Sequence, residues 1–239
     1  MLTRRQLLFS AGSGVLGVAV FSGCSSADSP QAPSTAPPPS PAGGGGGGDW
    51  RRVNLSFVSA YLLVRGGEVA IVDLGTAGSA AAIGDGLKAA GSGWAAVKHV
   101  ILTHKHGDHA GGLGGVQPQV KATWYAGEAD VSGITSETAL KPVKDGDEVF
   151  GLQIIGTPGH TAGHVSVFDP STGTLVAGDA LRTTDGLAGS DPQYTADAAQ
   201  AAASIKRLAA LDVKTILPGH GDPLSSGAAD QLRKLAASL

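Results

Sequence analysis

The sequence predicts an α/β domain whose β-strands come in two groups, each followed by helices. Two observations support this class. Apolar runs of strand length, such as residues 68–75 and 97–103, alternate with Ala-rich segments of helical character. Several of these runs end in Gly-flanked loops that carry His or Asp. With 42% hydrophobic residues, the chain can build a sizeable core.

The predicted elements can be placed in chain order. Residues 53–64 and 68–75 are β-rich runs joined by a hairpin at 65–67, and residues 78–90 form an Ala-rich helix. A buried strand at 97–103 leads directly into a histidine cluster. Further strands are predicted at 122–126, 148–156, 164–169, 174–177 and within 213–221. Helices are predicted at 195–211, with Thr195 as the N-cap, and at 228–239.

The composition limits the possible functions. The chain has 239 residues, which suits one globular domain with additional segments. Its formal net charge of −3 excludes a strongly basic nucleic-acid-binding surface, so we expect no nucleic-acid partner. Cys24 is the only cysteine, which excludes an intramolecular disulfide and a zinc site of several thiolates.

Residues 1–23 have the pattern of an export signal. Arg4 and Arg5 precede an apolar stretch at 7–21 that is short for a membrane span. Residues 3–8 resemble a twin-arginine signal; an ordinary signal with two basic residues is the alternative. Cys24 follows residues that resemble the lipobox of bacterial lipoproteins, although it could also be a chance cysteine. We expect export to the cell envelope, with a lipid on Cys24 as the only membrane contact, on the outer face of the cytoplasmic membrane.

The composition of residues 24–49 predicts a disordered linker, and we expect the folded domain to span residues 50–239. The linker is rich in Ser, Pro, Ala and Gly and has no apolar periodicity to bury. Its Pro-rich half should be extended and its Gly run flexible. The linker would hold the domain away from a membrane anchor.

The segment "VILTHKHGDHAGG" gathers metal-binding groups directly after the strand at 97–103. It contains His104, His106, Asp108 and His109 within six positions. Imidazole and carboxylate ligands suit zinc, iron or manganese. These four residues cannot complete two metal coordination spheres, so further ligands must follow other strands. The candidates, each in a Gly-flanked loop after an apolar run, are His160, Asp179 and His220.

The ordered pattern H-x-H-x-D-H, G-H, G-D and P-G-H resembles the metallo-β-lactamase-fold superfamily over residues 53–225. The resemblance implies a four-layer αββα sandwich with the metal site at one edge, between the two sheets. It also implies two divalent metal ions, with zinc favoured and iron or manganese possible. By this resemblance, metal 1 is held by His104, His106 and His160, metal 2 by Asp108, His109 and His220, and Asp179 bridges both.

A pair of such ions can lower the pKa of a bound water to about 7, which yields a hydroxide nucleophile at neutral pH. Asp108 would orient that hydroxide or take its proton. Asp179 stands where β-lactamases of the superfamily typically have Cys or Ser, and it resembles glyoxalase II-like thioesterases and lactonases instead. The chain continues for 19 residues beyond His220, so we expect no C-terminal glutathione-binding domain.

The favoured function is therefore a dinuclear hydrolase of a small ester-like molecule, such as a lactone or thioester. Three alternatives stay open: a β-lactamase, a mononuclear iron persulfide dioxygenase, and a non-catalytic metal-binding lipoprotein. Oligomeric state is also open.

The roles of five other residues are undecided. Asp73 either supports a ligand histidine or only forms a turn, and His164 is structural or supports the ligands. His99 should be buried. Arg182 and Tyr194 either contact substrate or belong to loop surface.

Overall fold

The computed structural model describes residues 48–239. The signal-peptide prediction for 1–23 and almost all of the linker prediction for 24–49 lie outside the described residues. Among the described residues, the first strand begins at Asp49. Among residues 48–239, no helix has the length and apolar character needed to cross a membrane.

The first sheet has six strands in the order β1-β2-β3-β4-β5-β6. The first three strands are antiparallel neighbours, and β3 to β6 run parallel to one another. Gly66 and Gly67 turn the chain between β2 and β3 with positive φ, as the predicted hairpin requires. The strands are β1 (Asp49–Asn54), β2 (Ser59–Arg65), β3 (Glu68–Val72), β4 (Val97–Leu102), β5 (Thr123–Gly127) and β6 (Leu140–Val143).

The second sheet has five strands in the order β13-β10-β9-β8-β7, and a separate two-stranded ribbon pairs β11 with β12. Within the five-stranded sheet only β10 and β13 are parallel. The strands are β7 (Glu148–Val149), β8 (Leu152–Gly156), β9 (Val165–Asp169), β10 (Thr174–Gly178), β11 (Leu181–Arg182), β12 (Ala188–Gly189) and β13 (Thr215–Pro218).

Helices cover the outer faces of the two sheets. Ile83 and Leu87 of α1 pack on the first sheet, whereas Ile205 of α4 and Leu232 of α5 pack on the second. The helices are α1 (Ala80–Ala89), α2 (Gly107–Ala110), α3 (Leu113–Val116), α4 (Ala198–Leu208) and α5 (Ala228–Ala237). Short 3₁₀ turns occur at Trp94–Ala96, Gln117–Gln119 and Glu128–Gly133.

Side-chain alternation along the strands creates three buried layers. In β2, Leu62 points to the core shared with α1, whereas Leu63 points to the core between the two sheets. In β10, Val176 joins the inter-sheet core and Leu175 joins the core under α4 and α5. Successive side chains of a strand point to opposite faces, so each sheet is buried on both sides. The result is the αββα sandwich that the sequence resemblance implied.

Four predictions about elements need correction: two that concern strand runs, one on the start of helix α4 and one on its N-cap. The run at 53–64 contains two strands, because Ser56 takes a φ of 78° and turns the chain after β1. The run at 148–156 is a hairpin that turns at Phe150 and Gly151, which both have positive φ. Helix α4 starts at Ala198 rather than at 195, and its N-cap is Asp197, which accepts a hydrogen bond from the backbone N–H of Gln200.

His99 was predicted to be buried, but it is only half-buried on β4. Its Nδ1 lies 3.4 Å from the hydroxyl of Tyr125, and its ring packs beside Phe150. The prediction was wrong because His99 packs against Phe150, which is itself only partly buried at the margin of the inter-sheet core. Trp124, by contrast, is buried in the core under α1.

Candidate metal centre

All seven predicted ligands come together at one edge of the sandwich. His104 and His106 follow β4, His160 follows β8, and Asp179 and His220 each follow the end of a strand, β10 and β13. Asp108 and His109 occupy the first turn of α2. That helix begins at Gly107.

Three histidines form the first donor group. The Nε2 of His104 lies 3.1 Å from the Nδ1 of His106, and the Nε2 of His160 lies 2.9 Å from that same Nδ1. His104 is fully buried and His160 nearly so. The three ring nitrogens therefore surround one point, as ligands of one ion would.

The second donor group consists of Asp108, His109 and His220. The Nε2 atoms of the two histidines are 3.4 Å apart, and Asp108 Oδ2 lies 3.3 Å from that of His220. Asp179 lies between the two groups. Its Oδ1 is 3.1 Å from His109 Nε2, and its Oδ2 is 3.4 Å from His160 Nε2 and 3.3 Å from His220 Nε2. Asp179 therefore lies within 3.4 Å of histidines from both donor groups.

Hydrogen bonds on the outer ring nitrogens fix the tautomers of His104 and His160. The hydroxyl of Thr103 donates to Asp73, so it can only accept from Nδ1 of His104 at 3.1 Å. On the other side, Ser190 Oγ lies 2.9 Å from His160 Nδ1 and is itself engaged with Thr195. The Thr195 hydroxyl donates to a backbone carbonyl, so it must accept from Ser190. Both histidines therefore present an unprotonated Nε2 to the first donor group.

His109 and His220 are oriented in the same way by oxygen acceptors. The Nδ1 of His109 donates to Asp73 Oδ2 at 2.8 Å, and the Nδ1 of His220 donates to the carbonyl of Phe57 at 2.8 Å. Asp73 also accepts from the backbone N–H and hydroxyl of Thr103, at 2.8 and 2.7 Å. Asp73 therefore supports ligands of both donor groups from a buried position, which answers the question the sequence left open.

The donor set fits divalent cations. The unprotonated Nε2 atoms of His104 and His160 lie 3.1 and 2.9 Å from His106 Nδ1, and a single proton on that atom cannot serve both, so a cation would satisfy the group better. The Oδ1 atom of Asp179 is buried and, although His109 Nε2 lies 3.1 Å away, it accepts no hydrogen bond of good geometry from residues 48–239. A buried carboxylate oxygen without a partner is costly, and a metal ion would satisfy it. Nitrogen and oxygen donors in this number suit two zinc ions, and iron or manganese as well.

The electrostatics of the metal-free site point the same way. Burial, together with the neighbouring His109 charge, holds the pKa of His104 well below its usual range, and burial also lowers the pKa of His160. Both are neutral at pH 7, as metal ligands must be. Hydrogen bonds to Asp108 and Asp179 raise the pKa of His220 to about 10. His220 Nε2 lies 3.3 Å from a carboxylate oxygen of each residue, so a proton on Nε2 would be shared with them and a metal ion would have to displace it.

His164 positions the bridging carboxylate from behind. Its Nε2 accepts the backbone N–H of Asp179 at 3.0 Å, and its Nδ1 donates to the hydroxyl of Thr157 at 2.8 Å. Burial lowers the pKa of His164 to about 3, so the ring stays neutral and can accept. A Cβ at Gly178 would lie 2.7 Å from His164 Nε2, which explains the glycine before Asp179. His164 supports the ligand set and does not belong to it.

Asp130 is a positioning residue that the sequence analysis missed. It lies in the 3₁₀ turn after β5, and its side chain is fully buried. Its Oδ2 accepts the backbone N–H of Lys105 at 3.1 Å and the hydroxyl of Thr161 at 2.6 Å, and its Oδ1 accepts the N–H of Gly163 at 3.0 Å. It thereby joins the loop of His104 and His106 to the loop of His160. The only signal in the sequence is an acidic residue shortly after a buried strand.

A cavity of about 680 Å³ opens onto both donor groups. That size suits a small molecule. Besides five of the predicted ligands and Gly107, the cavity is lined by Phe57, Arg182, Thr184, Asp191 and Tyr194. Arg182 and Tyr194, whose roles were undecided from the sequence, therefore both face the site.

Comparisons with known proteins agree with this geometry. A hydroxyacylglutathione hydrolase of Dechloromonas aromatica (strain RCB) is 32% identical over 176 residues, which cover 69% of this chain and 60% of that protein. This chain spans 60 to 66% of the length of three curated relatives, including that one.

Solved structures match as well. A metallo-beta-lactamase family protein of Thermus thermophilus has a TM-score of 0.65 at 26% identity, with 80% of this chain and 79% of that one covered. The protein TTHA1623, solved in a di-iron-bound form, has a TM-score of 0.60 at 25% identity, with 76% and 95% covered. The family model described as the metallo-beta-lactamase superfamily matches residues 53–220, well over half of the chain. With the sandwich and the seven donor side chains in place, the chain belongs to the metallo-beta-lactamase superfamily.

Proposed function

We propose that this protein is a two-metal hydrolase of small ester-like molecules, such as lactones or thioesters. One observation carries the proposal: seven His and Asp side chains converge in two adjoining donor groups, and the inner nitrogens of His104 and His160 are free of protons. The family relationship supports hydrolysis, because the relatives include a hydroxyacylglutathione hydrolase.

In the proposed mechanism, one divalent ion would be held by His104, His106 and His160 and the other by Asp108, His109 and His220, and Asp179 would contribute to both sites. When bound, the two ions supply the Lewis acidity that activates water and polarises a carbonyl oxygen. Zinc is the favoured metal because it suits the donor set. Iron is the main alternative, since the related protein TTHA1623 has been solved in a di-iron-bound form.

Asp108 is the proposed proton acceptor. It lines the cavity and is half-buried, and its hydrogen bond to His220 lowers the pKa of its carboxyl group. The carboxylate is therefore ionised at neutral pH, so it can accept a hydrogen bond from the attacking water and take its proton. Donation of that proton to the leaving oxygen or sulfur returns Asp108 to its starting state.

The substrate class rests on the bridging aspartate and the cavity. Asp179 would give both donor groups a shared carboxylate, and an aspartate in this position is what makes the sequence resemble thioesterases and lactonases. The cavity of about 680 Å³ has the size of a small-molecule site. Because the chain spans less than two thirds of the length of its curated relatives, their substrates do not transfer directly.

The proposal is tested with the full chain loaded with zinc, in parallel with iron. Proton release at fixed pH is followed with a lactone, a thioester, a β-lactam and a phosphodiester. Turnover of the lactone or thioester, abolished by His106→Ala, would support the proposal. His99→Ala is the matched control, because His99 is half-buried on β4 outside the donor groups. β-Lactam turnover alone would instead identify a β-lactamase.

Silence of both metal forms across this panel would refute hydrolysis. Oxygen uptake by the iron form with a persulfide would then identify a dioxygenase, and its absence would leave a metal-binding protein.

We also propose that the protein acts at the cell envelope, anchored by a lipid on Cys24. The support is sequence alone: the twin-arginine-like residues 3–8, the apolar stretch at 7–21 and the lipobox-like residues before Cys24. In cells, Cys24→Ala should move the protein from the membrane fraction to a soluble one, while replacement of both Arg4 and Arg5 by Lys should block export. Membrane association unchanged by Cys24→Ala would refute the lipid anchor.

A further inference from the structure

The cavity wall beyond the donor groups has a distinct chemistry. Within residues 48–239 only three large apolar side chains are strongly exposed, and two of them, Phe57 and Tyr194, line this cavity at 60% exposure each. The ring of Phe57 lies nearly parallel to that of His220, at an interplanar angle of 8°. Exposed aromatic side chains that flank a cavity are typical of contacts with an apolar part of a ligand.

Arg182 differs from the other arginines of the described region. Arg51, Arg52, Arg65, Arg207 and Arg233 each pair with an aspartate at 3.0 Å or less. Arg182, among residues 48–239, forms no such ion pair; its buried Nε has no hydrogen-bond partner, a feature that it shares with Arg65. The side-chain hydrogen bond that it does form is a long one, 3.4 Å from Nη1 to the hydroxyl of Thr184. A partly buried guanidinium without an ion-pair partner calls for an anion.

The backbone that carries Arg182 is fixed to the donor groups. Arg182 lies three residues after Asp179 and pairs with Ala188 in the β11–β12 ribbon. The next residue, Thr183, donates its backbone N–H to the carbonyl of His220 at 3.0 Å and its hydroxyl to the carbonyl of Asp222 at 2.6 Å. The guanidinium is therefore attached to a rigid segment tied to two ligand loops, which lowers the cost of ordering it on binding.

We propose that Arg182 is a subsite for a carboxylate of the substrate, and that the substrate is an ester-like molecule with one carboxylate and an apolar part. The apolar part would lie against Phe57 and Tyr194. This inference rests on the proposed function. A planar guanidinium binds a carboxylate through two parallel hydrogen bonds, which a neutral group cannot reproduce. Asp191 also lines the cavity, and its charge disfavours a polyanion.

The test compares two 4-nitrophenyl esters of equal length: mono(4-nitrophenyl) glutarate and the matching ester with a terminal carboxamide. For the metal-loaded full chain, kcat/KM should favour the carboxylate ester by roughly 10- to 100-fold, as expected for a charge-assisted hydrogen bond. In Arg182→Met that ratio should collapse toward one. Arg182→Lys should retain part of it, since Lys keeps the charge but loses the paired geometry.

Arg233→Met is the matched control, because Arg233 lies on α5 and pairs with Asp230 outside the cavity. It should keep the wild-type ratio. Circular dichroism would establish that all three variants are folded. Equal turnover of the two esters by the wild type, or a ratio unaffected by Arg182→Met, would overturn the subsite while leaving the hydrolase intact.

If the wild type hydrolyses neither ester, the proposed function is in doubt, and direct binding decides the subsite. Calorimetric titration of the metal-loaded protein with the monoamide of glutarate, which carries one carboxylate, should then show binding that Arg182→Met weakens at least ~10-fold and Arg233→Met does not. No binding of this monoamide, or equal binding by the two variants, would refute the carboxylate subsite.

Discussion

Replacement of Asp130 by asparagine should weaken both the fold and the first donor group. Both carboxylate oxygens of Asp130 accept hydrogen bonds, one from Gly163 and two from Lys105 and Thr161. An amide must present –NH₂ in place of one oxygen. The less costly orientation keeps the two bonds at Oδ2 and places –NH₂ against the N–H of Gly163.

The magnitude follows from these contacts. Loss of one hydrogen bond to a charged group costs about 1.5–3 kcal/mol, and leaving a buried donor without a partner costs about 1–3 kcal/mol more. We expect Asp130→Asn to lower the free energy of unfolding by about 3–5 kcal/mol in total. Because Asp130 joins the loops of His104 and His160, we also expect metal affinity to fall by about 10- to 100-fold.

Urea denaturation of the metal-free protein measures the first effect, and competition with a chromophoric chelator measures the second. Asp212→Asn is a matched control, since Asp212 is exposed in the loop after α4 and should change neither quantity. An unchanged urea midpoint would refute the hydrogen-bond argument. A lower midpoint with unchanged metal affinity would show that Asp130 supports the fold and does not position the ligands.

Three further predictions concern other parts of the site and the fold. Asp73→Asn should reduce metal affinity by about 10- to 100-fold in the chelator assay, because it disturbs the outer hydrogen bonds of both donor groups. Unchanged affinity would contradict that role. Gly219→Ala should reduce metal content per chain in elemental analysis, because a Cβ there collides with the Asp179 carboxylate; full occupancy of both metals would refute the steric argument. Asp169 should stabilise the fold at neutral pH: although burial opposes it, hydrogen bonds and the Arg65 charge lower its pKa. That stability is present above the unfolded pKa of about 3.9 and is lost as pH falls through the lower folded pKa, so Asp169→Asn should flatten the acid dependence of the urea midpoint. An acid dependence equal to that of the wild type would exclude Asp169 as its source.

The ligand set could be predicted because its information is local. Each ligand follows an apolar run of strand length, and the Gly residues beside it report close approach. A Cβ at Gly219, for example, would meet both Asp179 and His109. Such patterns can be recognised in the sequence because the residues that meet one geometric requirement are neighbours in the chain.

The supporting residues could not be predicted in the same way. Asp130 acts through Lys105, Thr161 and Gly163, which lie 25 to 33 positions away in the chain. Only tertiary structure brings these groups together, so no spacing rule reveals them. The same limit explains Thr195. As a cap candidate it was locally as good as Asp197, but its hydroxyl is engaged with Asp191 and Ser190 behind His160.

The arrangement separates the chemistry of the site from the recognition of substrate. The ligands are oriented by partners on several elements: Asp73 after β3, Asp130 after β5 and the carbonyl of Phe57 before β2. The side chain proposed to select substrate lies on the short β11–β12 ribbon, which is tied to the His220 loop by the backbone hydrogen bond from Thr183. Loops on a rigid scaffold tolerate change better than the elements that hold them. A different side chain in place of Arg182 can therefore change which anion or neutral group is preferred without altering the seven donor positions, and this is why family membership alone does not fix the substrate.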